Sequence, residues 1–489
     1  MHRISPTKAV LVSLGLAAIA MLFGLSCAKE PQLNVLVITI DTLRADRLGC
    51  YGYGKPTSPR LDGLAGDAVL FEQVFCQSPE TLPSHTSIFT GMHPRTHKAI
   101  SHESRVDKKL TTLAEVLSRR GYATGAIISS HVLDPKYGLD QGFESYRLIH
   151  YMVPDRKRQE MNEREQDPTT DEALTWLRDN KGERFFLWIH WFHPHRPYNP
   201  PPRYREDFAG NYTGPAAEDQ NDWAMKMWRE RVELTEADLA YMRGLYDGEI
   251  AFSDAQIGRV LDELASLGLA KNTIVVVTAD HGEILYEHEY YFGHDIALYD
   301  ECTMIPLIMR IPGVEAARRR IQGLIQSIDI FPTVLDALGI ECPRDVEGKS
   351  LIPLIKGSAD ATTEYAFSET FPFPEKCPPR HAIRTGNAKL IWREEPSGEI
   401  TREYYDLAAD PHERRNLYTA GAGAGTPARA PAKGSPAGQS VGTPGLDTAA
   451  HLDRMLADWI KPAGLRPAPI PSAAESGRWK ILKSLGYVD

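Results

Sequence analysis

The stretch Asn34-Val35-Leu36-Val37-Ile38-Thr39-Ile40-Asp41 is a short, continuous apolar run that ends at an acidic residue. This pattern is typical of a strand that is buried on both faces of a parallel sheet. An acidic residue at the carboxyl end of such a strand lies at the edge where α/β folds place their functional sites. Four further candidate strands share the apolar pattern: residues 123–129, 185–191, 273–278 and 306–311.

Segments with a helical pattern lie between the candidate strands, at residues 111–120, 171–179, 236–267 and 330–338. The alternation predicts an α/β fold with a doubly wound, mostly parallel sheet that is flanked by helices. After Lys356 the pattern changes to short strands with little helix between them, at residues 365–368, 381–384, 388–392 and 403–406. This change predicts a smaller, C-terminal antiparallel sheet subdomain beside the main domain.

These patterns divide the chain of 489 residues into five parts. We expect a signal or anchor segment, a catalytic domain, a C-terminal α+β subdomain, a linker rich in Ala, Gly, Pro and Ser, and a C-terminal helix with a tail. In the same order, the predicted bounds are residues 1–27, 33–355, 356–418, 419–447 and 448–489. The linker has too few bulky apolar residues to offset the entropy of folding.

The chain is acidic, with a formal net charge of −10, so we do not expect it to bind nucleic acid. Its N-terminus carries basic residues and then an apolar run, residues 9–25, which ends at Ser26-Cys27. This arrangement resembles a bacterial lipoprotein signal with Cys27 as the lipidated residue, although Gly24 stands where leucine is usual. Secretory cleavage and an uncleaved anchor are the alternatives. All three place the protein outside the cytoplasm, on the periplasmic side or the surface of a bacterial envelope.

Polar residues that can bind a cation follow two of the candidate strands. Asp41 follows the first strand, and Asp280 and His281 follow the most β-branched one. With the hydroxyl of Thr81 they form a mixed set of oxygen and nitrogen ligands that suits one divalent cation. Each of them alone is as readily explained as a cap or a loop residue.

Thr81 is followed two positions later by Pro83, which cannot lie inside a helix. We therefore expect a helix to begin after the proline, with Thr81 at its N-terminus, where free N–H groups favour an anion. The alternative is a plain turn that is capped by Ser84. The stretch alone does not decide between the two.

Histidines also lie near strand ends, where they can bind metal, transfer protons or stabilise an oxyanion. His294 comes a short loop after His281, and His193-Pro194-His195 follows the strand at residues 185–191. The proline-flanked turn favours His195, rather than His190 or His193, as the ring that points into the site.

Taken together, these segments resemble the ordered motifs of the sulfatase family, within the alkaline phosphatase superfamily. The motifs are residues 34–51, 81–91, 185–197, 254–283 and 293–313. The resemblance extends over residues 33–355, and residues 405–417 are similar to the C-terminal region of the family. It implies an α/β hydrolase with one bound divalent cation.

By position, the resemblance implies that Asp41, Asp280 and His281 are metal ligands and that Thr81 is both a ligand and the nucleophile. We expect the cation to be calcium because most of the ligands are oxygen atoms, with manganese, zinc or magnesium as alternatives.

The resemblance also implies roles around the nucleophile. Ser84 belongs to the nucleophile motif and is expected near the substrate. His85 matches an arginine that steadies the nucleophile, and His131 matches a histidine near the leaving group. His195 matches a histidine, and His294 a lysine, that contact the sulfuryl or phosphoryl oxygens.

Three departures from the family pattern change the expected chemistry. Family members carry Cys or Ser where this chain has Thr81, and that residue is oxidised to formylglycine. Oxidation of a threonine would give a ketone, so no formylglycine is expected. Thr42 stands in place of a second aspartate ligand, and Ser129 stands in place of a lysine.

A formylglycine hydrate can expel sulfate, whereas a threonine ester must be attacked by water at sulfur or phosphorus. The sequence therefore predicts a metal-dependent hydrolase of sulfuric or phosphoric esters, acting on a sulfated or phosphorylated small molecule or glycan. The alternatives are a transferase that moves a phospho-substituent to an envelope glycan or lipid, and a non-catalytic binder of anionic glycans. The oligomeric state is not predicted.

Overall fold

The computed structural model describes residues 33–149, 167–217, 232–290, 292–314, 320–359, 363–371, 378–418 and 444–461. Cys27, most of the predicted linker and most of the C-terminal tail lie outside the described residues. The four described cysteines, Cys50, Cys76, Cys302 and Cys342, are not paired in disulfides. No helix among the described residues is both long and apolar enough to cross a membrane.

The main sheet has eight strands among the described residues. They are β1 (Asn34–Ile40), β2 (Val69–Phe75), β3 (Ala123–Ile128), β4 (Ser145–Leu148), β5 (Phe185–Trp191), β6 (Thr273–Ala279), β7 (Met304–Arg310) and β8 (Arg320–Gln326). Their order is β4-β3-β5-β1-β6-β7-β2-β8. The five strands from β4 to β6 are parallel, whereas β7 is antiparallel to both of its neighbours. The predicted mostly parallel α/β sheet is confirmed.

Helices connect and flank the strands. The described α-helices are α1 (Pro59–Asp67), α2 (Thr81–Thr90), α3 (Pro94–His97), α4 (Leu113–Ser118), α5 (Pro168–Asp179), α6 (Pro202–Ala209), α7 (Glu236–Ser266), α8 (Asp300–Thr303), α9 (Ile330–Ala337), α10 (Ile352–Ile355) and α11 (Pro444–Ile460). The strand β1 is buried along its whole length, as its continuous apolar run predicts.

The sequence patterns missed three strands of the main sheet: β2, β4 and β8. The strands β4 and β8 are the two edges of the sheet and are partly exposed, so neither has the continuous apolar run of a central strand. Glu72 and Gln73 interrupt the apolar pattern of β2 and are only partly buried. A continuous apolar run marks only a strand that is buried on both faces along its length, and none of these three strands is.

The prediction that a helix begins after Pro83 is wrong by three residues, because α2 begins at Thr81. Pro83 is the third residue of the helix, where a backbone N–H would have no partner within the helix. The alternative turn capped by Ser84 is also excluded, because Glu80 is the N-cap residue. Thr81 is therefore at the helix N-terminus, as expected, but inside the first turn.

The second sheet contains four antiparallel strands, in the order β12-β11-β10-β9. They are β9 (Ala366–Thr370), β10 (Arg380–Arg384), β11 (Ala388–Glu394) and β12 (Ile400–Asp406). Their position after residue 356 agrees with the predicted C-terminal antiparallel sheet. The predicted domain boundaries themselves stay predictions.

Buried polar contacts attach β9 to the main domain. The backbone N–H of Glu369 donates to the carbonyl oxygen of Gln77 at 2.9 Å. The carboxylate of Glu369 pairs with Arg95 at 2.6 Å, and both side chains are buried. The two sheets are thus joined by backbone bonds and by a buried ion pair.

A buried lysine makes a second connection. Nζ of Lys389, on β11, lies 2.8 Å from Oδ1 of Asp300 and 2.9 Å from Oε1 of Glu413. The side chains of Lys389 and Glu413 are nearly inaccessible to solvent. Although burial opposes it, the two carboxylates raise the pKa of Lys389. The lysine is therefore positively charged, and its charge offsets the buried negative charge of these carboxylates.

We predict that Lys389→Met lowers the free energy of unfolding by about 3 kcal/mol, because it leaves buried carboxylates without their cation. Arg384 still pairs with Asp300, which keeps the loss at the lower end of the range for a broken buried pair. Urea denaturation measures the change. The control is Lys461→Met, which removes an exposed pair with Asp458 and should change stability by less than about 0.5 kcal/mol. Equal losses in the two variants would contradict the prediction.

Candidate active site

The candidate site lies at the carboxyl edge of the main sheet, where β1 and β6 end side by side. Ile40, the last residue of β1, pairs with Ala279, the last residue of β6. Asp41 and Asp280 therefore leave the sheet together, and both are fully buried. The two strand-end aspartates predicted from the sequence belong to one site.

Several buried carboxylate oxygens in this site have no hydrogen-bond partner. They are both oxygens of Asp41, Oδ2 of Asp280 and both oxygens of Glu283. Burial, together with the charge of Asp280, raises the pKa of Asp41 well above its usual range. Burial also raises the pKa of Glu283. Because unpaired buried charge is costly, this concentration of carboxylates indicates a site for a cation.

His281 provides a nitrogen ligand for that cation. Its Nδ1 lies 3.0 Å from the carbonyl oxygen of Gly282, which can only accept, so Nδ1 carries the proton and Nε2 has a lone pair. Nε2 lies 3.4 Å from Oδ2 of Asp280 and 3.9 Å from Oδ1 of Asp41. Burial lowers the pKa of His281 to about 4, which keeps the ring neutral. The three residues offer ligand atoms within 4.8 Å of one another, which fits a divalent cation.

Thr81 lies beside this cluster as the first residue of α2, and it is fully buried. Its Oγ1 is 3.4 Å from Nε2 of His281. Ser84 donates its hydroxyl hydrogen to the carbonyl oxygen of Asp280 at 2.7 Å, which joins α2 to the loop after β6. This bond uses the only proton of the Ser84 hydroxyl, so its contact with substrate stays a prediction.

His85 lies on the same helix, and its hydrogen bonds define a neutral ring. Trp188 donates through Nε1 to Oγ1 of Thr39 at 2.9 Å, which leaves the Thr39 hydroxyl to donate to Nε2 of His85 at 3.0 Å. Nδ1 of His85 then donates to the carbonyl oxygen of Thr81 at 2.7 Å. Burial lowers the pKa of His85 to about 4. His85 is therefore a neutral donor to the backbone of Thr81, and its match to an arginine of the resembled family stays a prediction.

His195 and His294 face each other, with their Nε2 atoms 3.3 Å apart. Nδ1 of His195 donates to the carbonyl oxygen of Arg196 at 2.6 Å, so its Nε2 accepts a hydrogen from His294. Although burial opposes it, the carboxylate of Asp295, 2.6 Å from Nδ1 of His294, raises the pKa of His294 to about 10. Both rings are buried, as predicted for His195, and the pair carries one positive charge.

Among the predicted site residues that the structure describes, His131 is the one that is not buried with the others. It begins a short 3-10 helix, His131–Leu133, after β3, and it is partly exposed. Its Nε2 lies 3.5 Å from Nζ of Lys136. Its predicted position near a leaving group stays a prediction.

Two buried polar residues of the site were not assigned from the sequence. Glu283 directly follows the predicted ligand loop, and His190 lies within the apolar strand β5. The available signal was a polar residue close to the carboxyl end of a buried strand. His190 was set aside in favour of His195, although Nε2 of His190 lies 3.6 Å from Oδ2 of Asp41.

Comparison with known proteins identifies a consistent set of relatives. A family model described as Sulfatase matches residues 33–340, and one described as N-sulphoglucosamine sulphohydrolase, C-terminal, matches residues 287–426. The N-acetylglucosamine-6-O-sulfatase of Bacteroides thetaiotaomicron is 26% identical, over 80% of this chain and 83% of that protein. An arylsulfatase of Clostridium perfringens is 27% identical, over 78% of this chain and 90% of that protein.

A solved structure has a similar fold. The phosphonate monoester hydrolase of Agrobacterium radiobacter aligns with a TM-score of 0.66 and 24% identity, over 79% of this chain and 91% of that one. At this identity the likeness concerns the fold alone.

We predict that Asp280→Asn weakens the binding of a divalent cation by at least about 10-fold. Removing a residue that only hydrogen-bonds to a metal ligand already lowers metal affinity by about that factor, and Asp280 is expected to bind the metal directly. The metal-free variant should still fold, since Asn retains the Oδ1 acceptor for the backbone N–H of His281. It should unfold at a somewhat lower temperature, because, although burial opposes it, neighbouring groups lower the pKa of Asp280 and so stabilise its charge. Calorimetric titration and thermal unfolding with and without a chelator measure the two effects.

The matched control is Asp171→Asn, since Asp171 is half exposed and pairs with Arg259 at the surface. This control should bind the cation as the wild-type protein does. Unchanged affinity in Asp280→Asn would show that the cation is held elsewhere.

Proposed function

This chain belongs to the sulfatase family of the alkaline phosphatase superfamily, and on that premise we propose that it hydrolyses sulfuric or phosphoric esters with Thr81 as the nucleophile. The observation that carries the proposal is the position of the Thr81 hydroxyl. It is at a helix N-terminus, 3.4 Å from Nε2 of His281, beside carboxylates that have no hydrogen-bond partner. A hydroxyl in that position can be activated and can meet an anionic ester.

The residues around the nucleophile suit the charges of such a reaction. A divalent cation held by Asp41, Asp280 and His281 would lower the pKa of the Thr81 hydroxyl and offset charge on the ester. His294, positively charged through Asp295, would offset charge on the transferred group, and an oxygen of that group would replace His195 as the acceptor of its Nε2 proton when the ester binds. We propose calcium for this cation, as expected from the oxygen ligands.

The reaction would proceed in two displacements. The bond from Thr81 Oγ1 to sulfur or phosphorus forms while the bond to the leaving oxygen breaks; the Thr81 hydroxyl gives up its proton and the leaving oxygen gains one, so that no net proton is released in this step. Water then attacks the same sulfur or phosphorus atom and releases the Thr81 hydroxyl together with sulfate or phosphate. His85 donates to the carbonyl oxygen of Thr81 and so holds the first turn of α2 in place during both steps.

The relatives indicate the class of substrate. The relative from Bacteroides thetaiotaomicron is named an N-acetylglucosamine-6-O-sulfatase, and the relative from Clostridium perfringens is named an arylsulfatase. We propose a sulfated or phosphorylated glycan or small molecule as substrate. Thr81 itself supports a phosphorylated substrate, because a phosphoric ester of threonine can be hydrolysed by attack of water at phosphorus.

We also propose that the protein acts outside the cytoplasm, attached to a bacterial envelope through lipidated Cys27. The support is the basic and apolar N-terminal sequence, which lies outside the described residues. Intact-mass analysis of membrane-extracted protein, compared with Cys27→Ser, tests this step independently of catalysis. A mature protein that begins elsewhere than Cys27 would contradict it.

We predict that Thr81→Ala lowers kcat by at least about 10³-fold, because the attacking oxygen is removed. Thr81→Ser should retain most of the turnover, since it keeps the hydroxyl in the same place. The measurement uses metal-loaded protein with aryl sulfate, aryl phosphate, phosphodiester and phosphonate monoester substrates.

The cation affinity of Thr81→Ala reports whether the site remains intact. Unchanged turnover in Thr81→Ala would contradict the nucleophile. Product that appears only on an added glycan or lipid acceptor would favour a transferase, and binding without turnover in the wild-type protein would favour a non-catalytic glycan binder.

A further inference from the structure

A second imidazole faces the carboxylates of the site. His190 is the sixth residue of the seven-residue strand β5, in which every residue is buried. Thr39 on β1 is its pairing partner, so His190 lies next to the carboxyl end of β1. The side chain is fully inaccessible to solvent, and its Nε2 has no hydrogen-bond partner. A polar atom in this position is costly unless something binds it.

Ser129 fixes which nitrogen of His190 carries the proton. The Ser129 hydroxyl donates to the carbonyl oxygen of His190 at 2.5 Å, and a carbonyl oxygen can only accept. Oγ of Ser129 therefore has no proton left for Nδ1 of His190, which lies 3.5 Å away. Nδ1 carries the hydrogen and points it at Ser129, and Nε2 has the lone pair.

The lone pair of His190 faces a carboxylate oxygen. Nε2 lies 3.6 Å from Oδ2 of Asp41, and neither atom has a hydrogen-bond partner. Oδ1 of Asp41 faces His281, so the two oxygens of one carboxylate are directed at two different imidazole lone pairs. Two electron-rich atoms that face each other in a buried site repel unless a proton or a metal cation lies between them.

The distances suit a metal ion between these atoms. Imidazole and carboxylate ligands lie about 2.1 Å from zinc, so two donors 3.6 Å apart can both bind one ion at a nearly tetrahedral angle. Asp280 adds a third donor, because ligand atoms of Asp280, His190 and His85 lie within 4.8 Å of one another.

His85 is not a ligand in this arrangement, although it belongs to the same cluster. Its Nδ1 donates to the carbonyl oxygen of Thr81, and its Nε2 accepts from the hydroxyl of Thr39. Both nitrogens are therefore engaged. The donors without a hydrogen-bond partner are Nε2 of His190, Oδ2 of Asp41 and Oδ2 of Asp280, and the last of these also faces Nε2 of His281, so the two cations would share it.

We propose that the site binds a second divalent cation, between Nε2 of His190 and Oδ2 of Asp41, and that Asp41 bridges it to the cation beside His281. The proposal rests on the proposed function for the first cation. The nitrogen ligand selects zinc or manganese over calcium for the second position, since calcium prefers oxygen ligands.

The test is metal stoichiometry, which does not depend on turnover. Wild-type protein is stripped with a chelator, loaded with zinc chloride or with calcium chloride, desalted and analysed by elemental mass spectrometry. We expect two zinc ions per chain and one calcium ion. His190→Gln should lose one zinc ion and keep the other. His451→Gln, which alters an exposed histidine, should keep two.

One zinc ion in the wild-type protein, or two in His190→Gln, would overturn the proposal. If His190→Gln does not fold, anomalous diffraction from zinc-loaded wild-type crystals decides: two peaks, one within bonding distance of His190, support it, and a single peak overturns it. Thr81→Ala separates the two proposals. If it abolishes turnover while the wild-type protein binds only one ion, the proposed nucleophile stands and the second cation fails.

Discussion

The structure of this site depends on buried negative charge that the polypeptide itself neutralises only in part, through Arg196 and His294. Asp41, Asp280 and Glu283 are fully buried, and each has at least one carboxylate oxygen without a hydrogen-bond partner. The neighbouring imidazoles His281 and His190 present lone pairs rather than protons to these carboxylates. A bound cation would complete this arrangement, and under the proposed function the same cation would bring an anionic ester to Thr81.

Tight backbone packing holds the charged residues in place. The parallel register of β1 and β6 ends both strands at the same level, so Asp41 and Asp280 project from one edge. A Cβ atom on Gly282 would lie 2.1 Å from the carbonyl oxygen of Glu301, so only glycine permits the loop after β6 to approach α8 this closely. The bond from Ser84 to Asp280 then fixes α2 against that loop. Thr81 and the candidate ligands are thus held by contacts within the fold that do not depend on substrate.

The sequence predicted the central strands and their acidic ends, because burial on both faces produces a continuous apolar run that ends abruptly at a polar residue. It did not predict the strands β4 and β8, whose exposure at the sheet edges removes that signal. It also did not predict His190, because a single polar residue inside an apolar run does not reveal what it faces. The proton positions on His85 and His190 depend on Thr39 and Ser129, which are distant in sequence, so only the folded structure could show them.

The departures from the family pattern have a combined electrostatic effect. Thr42 removes a negative charge, whereas Ser129 and the neutral ring of His85 each remove a positive one, and the charged ring of His294 retains the charge of the lysine it replaces. The net charge of these positions is therefore lower by one than in the family pattern that the sequence resembles. Ser129 also directs the lone pair of His190 at Asp41. If the proposed second cation binds at His190, the substitution that the resemblance implies at Ser129 would both remove a positive charge and orient a ligand, and the cation would restore the charge that an anionic substrate needs.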